Sequence, residues 1–107
     1  MITMQIVPRT GHDVYRLLRD KVTHEAKTWS WKNKAKTRLH HTQVERGYIE
    51  VSSADSVLVA SVHPREPKDQ FMLIEKFIGR LTAWFPDDIF AINVQFNPAE
   101  TRSRRLR

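Results

Sequence analysis

The sequence contains no cysteine, which excludes disulfides, thiolate nucleophiles and cysteine-ligated metal sites in any compartment. Its apolar runs are only a few residues long, far shorter than the roughly 20 residues that a membrane-spanning helix needs. The N-terminus also lacks a basic leader followed by an apolar segment. We therefore expect a cytoplasmic protein without a membrane partner. Without disulfides, packing has to stabilise its fold.

Glycine and proline are scarce, with three and five residues among 107, so collagen-like and low-complexity architectures are excluded. A chain of this length buries roughly 60 to 70% of its unfolded surface on folding, which is enough for one core. We predict a single compact domain over residues 1–98. Residues 99–107 include four arginines and are predicted to form a disordered basic tail.

Acidic side chains are in the minority, with 12 Asp and Glu against 18 Lys and Arg and a formal charge of +6. A positive protein favours anionic partners, although the same charge also keeps a protein in solution. The arrangement of the cations therefore has to decide whether they bind a partner.

Apolar periodicity predicts an α+β fold with the order β-α-β-β-β-α-β. The predicted strands cover residues 1–7, 29–41, 48–52, 57–62 and 89–96. The first predicted helix is capped by Thr10 and runs to about Ala26, and the second runs from Pro67 to Phe85. One antiparallel or mixed sheet with both helices on one face is the most economical packing.

Two of these strands carry signals for their place in the sheet. The first stops at Pro8, which is typical of a strand at the edge or end of a sheet. The strand 57–62 is apolar on both sides, so we predict that it is central and covered on both faces. The inner α-β-β-β-α order resembles that of double-stranded RNA-binding domains. The resemblance is in element order alone, because the second helix here begins at Pro67 without their glycine- and lysine-rich start, and it assigns no residue a role.

Residues 29–41 read WSWKNKAKTRLHH. If this stretch is one strand, almost all of its apolar side chains fall on one face and its cationic side chains on the other. Its tryptophans then share a face with Ala35 and Leu39, and its cations share the other. Side chains two residues apart lie about 7 Å apart along a strand, so four cations form a line that could follow a phosphate backbone. The predicted nucleic-acid-binding residues are Lys32, Lys34, Lys36, Arg38 and His40.

We expect RNA or a single strand as the ligand of this face, since no recognition helix for duplex DNA is present. The alternative is a solvated strand whose lysines discourage edge pairing. The tryptophans, on the opposite face, are predicted to anchor the strand to the core.

The turn before Gly47 predicts a hairpin that sets Arg38 opposite Glu50 and His40 opposite Tyr48. These four side chains form a polar cluster that an enzyme or a small-ligand binder could use, which is our third functional hypothesis. No nucleophile or glycine-rich phosphate loop accompanies them. No HxH or HxxxH pair is present either, so we expect no metal site and no cofactor.

A second hypothesis is a protein-interaction or homo-oligomerisation module. If both helices cover one side of the sheet, we expect Leu58, Ala60 and Val62 to lie on the open side as an apolar interface. Gly79 interrupts the second helix, and we expect it to permit close approach of the sheet or of a second copy of the chain.

Overall fold

A computed structural model describes residues 1–43 and 46–97 of the chain. Its elements, in chain order, are β1 (Ile2–Pro8), α1 (Val14–His24), β2 (Trp29–Trp31), β3 (Arg38–His41), β4 (Gly47–Ala54), β5 (Val57–Pro64), a 3₁₀ turn (Pro67–Asp69), α2 (Gln70–Trp84) and β6 (Ile89–Phe96). The strands form one sheet in the order β2-β3-β4-β5-β1-β6, and every pairing is antiparallel. The predicted α+β class, with one sheet and two helices, is confirmed.

The segment predicted as one strand, residues 29–41, is instead two short strands joined by a turn. Four strands therefore come between the two helices in the sequence, whereas double-stranded RNA-binding domains have three. The predicted tail, residues 99–107, lies outside the described residues.

Both helices pack on the same face of the sheet. Three side chains of β1 alternate into the core and pair with three of β5: Ile2 with Val62, Met4 with Ala60 and Ile6 with Leu58. Val14 and Leu18 of α1 and Phe77 of α2 join the same buried cluster. Because alternate side chains of a strand point to opposite faces, the remaining side chains of β1 and β5 lie on a face that neither helix covers.

The prediction that Leu58, Ala60 and Val62 form an open interface is wrong. Their side chains are at most 2% exposed and lie in the core beneath the helices. The other parity of β5 points to the uncovered face, where Val57, Val59 and Ser61 are half-buried. The strand is central, as predicted, but helices cover only one of its faces.

Two further expectations about the first elements are corrected. Strand β1 lies between β5 and β6 and is not at the edge of the sheet, because Pro8 comes after most of its pairings and interrupts only the last of them. Helix α1 is capped by Asp13, whose carboxylate accepts a hydrogen bond from the Arg16 amide at 3.1 Å. A carboxylate satisfies the unpaired amides of a helix start as a threonine hydroxyl does.

Helix α2 carries most of the helical contribution to the core. Its buried side chains include Leu73, Phe77 and Leu81, whereas Phe71 is 60% exposed and Ile78 is only half-buried. The apolar stripe of α2 is therefore wider than the surface through which the helix contacts the core. Among the described residues, no helix is long and apolar enough to cross a membrane.

Gly79 does not serve a close contact within this chain. A Cβ atom built on it would have no other heavy atom within 4 Å, although glycine inside a helix costs about 1 kcal/mol relative to alanine. The expected approach of the sheet at this position is therefore wrong, and the expected approach of a second copy of the chain stays a prediction.

The centre of the α2 contact can be located by comparing two substitutions. Leu81→Ala should lower the free energy of unfolding by about 2 to 5 kcal/mol, because Leu81 is fully buried and its truncation leaves a cavity. Ile78→Ala should cost about 1 kcal/mol, since that side chain is already partly solvated. Urea unfolding monitored by circular dichroism measures both, and equal losses would contradict this placement of the helix.

Candidate nucleic-acid interface

The β2–β3 hairpin is held by the side chain of Asn33. Its Oδ1 accepts hydrogen bonds from the amides of Thr37 and Arg38, both at 3.1 Å, and its Nδ2 donates to the Thr37 hydroxyl at 2.7 Å. The Lys32 amide then donates to the Arg38 carbonyl at 2.7 Å. Asparagine commonly starts turns by binding the backbone in this way. The turn places Lys32 and Arg38 side by side at its base.

The predicted line of four cations along one strand is therefore wrong. Lys34 is exposed within the turn, and Lys36 has the left-handed φ of 58° and is half-buried. The Lys36 carbonyl accepts a hydrogen bond from the Tyr15 hydroxyl at 3.0 Å. Polar residues alternate with small ones in a turn as readily as in a strand, so periodicity did not distinguish the two.

Tyr48 is the centre of the cluster that forms on the uncovered face instead. The Lys32 Nζ lies 5.7 Å from the centroid of its ring, and the guanidinium carbon of Arg38 lies 5.2 Å from it. Both distances fall within the range of a cation–π interaction. His63, the partner of Tyr48 across β4 and β5, is stacked on it with ring centroids 4.8 Å apart and planes 9° apart.

Within residues 1–43 and 46–97, Glu50 is the only carboxylate that forms ion pairs in this cluster. It pairs with Arg38 across the strands, as predicted, and the Arg38 Nε lies 3.6 Å from its carboxylate. The His63 Nε2 lies 3.5 Å from the other Glu50 oxygen, without the alignment of a hydrogen bond. That nitrogen is buried and has no hydrogen-bond partner among the described residues.

His40 also lies on the uncovered face, where its Nε2 is 2.8 Å from the Ser30 hydroxyl of β2. A serine–histidine pair acts as a nucleophile and base when a third group orients the imidazole. No hydrogen bond to His40 Nδ1 is present within the described part of the chain. We therefore interpret this contact as a cross-strand hydrogen bond, which fixes His40 beside the cluster.

The loop after β5 completes the surface. A cleft of about 440 Å³ is lined by Lys32, Gly47, Tyr48, His63, Pro64 and Arg65. Gly47 has φ of 114°, and a Cβ on it would lie 2.2 Å from the His63 carbonyl oxygen. Only glycine allows this close approach of β4 to the end of β5.

Two residues of this surface, His63 and Arg65, were not predicted as site residues. They stand in the segment His63-Pro64-Arg65, between the predicted strand 57–62 and the helix predicted to begin at Pro67. The alternation of β5 does contain a signal, because Ser61 and His63 share a face and make the end of that face polar.

No group of three His, Asp or Glu side chains is arranged to hold a metal ion within the residues that the structure describes. Comparison of the chain with protein-family models, with curated proteins and with solved structures found no match. The site therefore has to be interpreted from its own chemistry.

The role of Asn33 can be tested by removing its amide. Asn33→Ala deletes three hydrogen bonds at a half-buried position, so it should lower the free energy of unfolding by about 1 to 3 kcal/mol. Lys34→Ala, an exposed change in the same turn, should stay within about 0.5 kcal/mol. Denaturant unfolding of both variants measures the difference. If they lose the same stability, the turn does not depend on the amide.

Proposed function

We propose that the uncovered sheet face binds RNA or single-stranded DNA. The observation that supports this most directly is the position of Tyr48, stacked on His63 with Lys32 and Arg38 beside its ring. Proteins that bind single strands combine cations along the phosphates with aromatic rings on which bases stack. Both elements occur together here, on the one face of the sheet that the helices leave open.

The cations of this face support the proposal of phosphate contact. Lys32 and Arg65 line the same cleft as the stacked rings, and no carboxylate pairs with either among the described residues. Arg38 is different, since a phosphate would compete with Glu50 for its guanidinium. At half-exposed positions such a pair contributes at most about 1 kcal/mol. Replacing Glu50 by a phosphate at Arg38 therefore costs little free energy.

His63 adds a further recognition group. Its Nε2 is buried without a hydrogen-bond partner within residues 1–43 and 46–97, and an unsatisfied buried polar atom destabilises a protein unless a ligand or water meets it. Because this nitrogen is shielded from solvent, a base edge on the Tyr48 surface would meet it only after the Glu50 carboxylate, 3.5 Å away, is displaced. The sheet face is also broad and carries no protruding helix, which suits exposed bases better than the grooves of duplex DNA.

Salt dependence and stacking give separate tests of this proposal. If Lys32, Arg38 and Arg65 each neutralise one phosphate, the slope of log K against log salt should be about −2 for a single strand. That corresponds to a loss of roughly 20-fold between 50 and 200 mM salt. Fluorescence anisotropy with a labelled 12-nucleotide RNA and its DNA equivalent measures the slope. Lys32→Ala should make this slope less steep by about 0.7. Lys27→Ala, which lies outside the face, should leave the slope unchanged.

The aromatic contribution is tested by a matched pair at Tyr48. Tyr48→Ala should weaken binding by about 1 to 3 kcal/mol through loss of stacking, and Tyr48→Phe should retain it because its ring is the same. Heteronuclear NMR spectra confirm that each variant is folded. Absence of binding at 50 mM salt, or equal affinity for Tyr48→Ala and Tyr48→Phe, argues against the proposal.

The edge of the sheet favours a second candidate function, self-association. Strand β6 is an eight-residue edge strand without any charged side chain, and it lacks the lysines or prolines that usually prevent edge pairing. Phe90 and Phe96 are 69% and 66% exposed, and the Phe96 ring lies 6.5 Å from that of the exposed Phe71. Antiparallel pairing of β6 with a second copy would join two sheets and bring together both uncovered faces.

This association predicts a dimer in solution, which light scattering during size exclusion detects. Asn93→Lys should dissociate it, because the two copies of this central β6 residue would place like charges close together. Ser52→Lys, an equally exposed change on β4, is the control and should leave the dimer intact. A wild-type protein that is monomeric at about 100 μM would rule out this edge as a stable interface.

A further inference from the structure

A second cleft lies on the opposite side of the sheet from Tyr48, between α2 and the β2–β3 hairpin. Its volume is about 390 Å³, and its lining residues are Thr28, Trp29, His41, Glu75, Lys76, Gly79 and Arg80. His40 and His41 are neighbours in β3, and alternation places them on opposite faces. This cleft is therefore separate from the proposed nucleic-acid surface.

Two cations stand at the mouth of the cleft one helical turn apart. Lys76 and Arg80 occupy positions i and i+4 of α2, where like charges repel each other. Within residues 1–43 and 46–97 no carboxylate lies within ion-pair distance of either. The Arg80 guanidinium carbon lies 5.9 Å from the Trp84 ring, which leaves its N–H groups available. Glu75 also lines the cleft, so two cations face one carboxylate.

His41 provides a buried polar group at the same place. It is only 7% exposed, and its ring packs edge-on against Trp29 with centroids 5.3 Å apart. Its Nδ1 accepts a hydrogen bond from the Gln43 amide at 3.3 Å. The neutral ring therefore carries its proton on Nε2, and this N–H donor has no acceptor among the described residues.

Gly79 leaves the backbone of α2 open toward the cleft. It lies between Lys76 and Arg80 on the same side of α2, and the space in front of it is empty. Packing within the chain does not require glycine there. That space is large enough for a bound group to rest against the helix backbone, and a larger side chain at this position would fill it.

We propose that this cleft binds a phosphate group, either as free phosphate or as a small phosphate monoester. Lys76 and Arg80 supply the positive charge, and the His41 Nε2–H and the Thr28 hydroxyl supply neutral donors. Four donors of this kind match the several acceptor oxygens of a phosphate better than the single oxygen pair of a carboxylate. Glu75 repels the anion and favours a pose close to Arg80 and Gly79.

Protonation of His41 links this site to pH. Burial, and then the charges of Lys76, Arg80 and His40, lower the pKa of His41 below its ordinary value. A bound anion opposes all three charges, so binding should raise the pKa of His41 and affinity should increase as the pH falls. Sulfate keeps its charge over this range and is the better probe of the pH dependence.

Inorganic phosphate, followed by NMR of the His41 ring, tests the site directly. Saturable shifts of the His41 resonances are expected, and sulfate should bind more tightly at pH 5.5 than at pH 7.5. Arg80→Gln should weaken phosphate binding about tenfold or more. Arg16→Gln, which removes the same charge from an exposed position on α1, should leave the affinity unchanged.

Two further measurements keep the proposal falsifiable. Gly79→Leu fills the open space and should abolish binding while the protein stays folded by circular dichroism. Glycerol phosphate and a 5′-phosphorylated trinucleotide, compared with its unphosphorylated form, distinguish a small monoester from a strand end as the source of the phosphate. The proposal is overturned if no phosphate compound shifts the His41 resonances, or if Arg16→Gln and Arg80→Gln lose the same affinity.

Discussion

One-sided burial of the sheet is the constraint on which the rest of this structure depends. The inward side chains of β5 are paired on both flanks, since Val62 lies between Ile2 of β1 and Ile49 of β4. A slip of one residue in either pairing would move Leu58 and Ala60 from the core to solvent and bring Ser61 beneath the helices. At about 25 cal/mol per Å² of apolar surface, that exchange would cost several kcal/mol. The register fixes which face the helices cover, and therefore which face remains for ligands.

This constraint also explains which parts of the fold were predictable from sequence. The α+β class follows from strong periodicities, and the Arg38–Glu50 pairing follows because a hairpin must bring its two apolar faces together. The face of β5 was predicted wrongly because Val57 and Val59 are as apolar as Leu58 and Ala60. Ser61 and His63 are the residues of that strand that distinguish its two sides, and both lie near its end.

The misjudged segment 29–41 has a different physical origin. Alternation measures only the direction of successive side chains, and it continues through a short turn without interruption. The event that reverses the chain is local, since one amide side chain at Asn33 satisfies the backbone of Thr37 and Arg38. In an extended strand, the Asn33 side chain would have lain in solvent, and the four cations would have been spaced out along the strand. The reversal instead brings Lys32 and Arg38 to the ring of Tyr48 on the neighbouring strand β4.

The same hairpin connects the two proposed sites while keeping them apart. Tyr15 and Trp31 hold it to α1 through the Lys36 and Arg19 carbonyls, so its position does not depend on either ligand. One side of it presents Arg38 and His40 to the uncovered face, and the other presents Trp29 and His41 to the cleft at α2. The charges of the two sites differ in kind. Glu50 already pairs with Arg38 on the open face, whereas burial, beside two cations, lowers the pKa of His41 on the other. Salt screens the exposed Arg38–Glu50 pair, and protonation of His41 would add a further positive charge to the cleft. The two proposed sites therefore share one short hairpin, with one site on each of its faces.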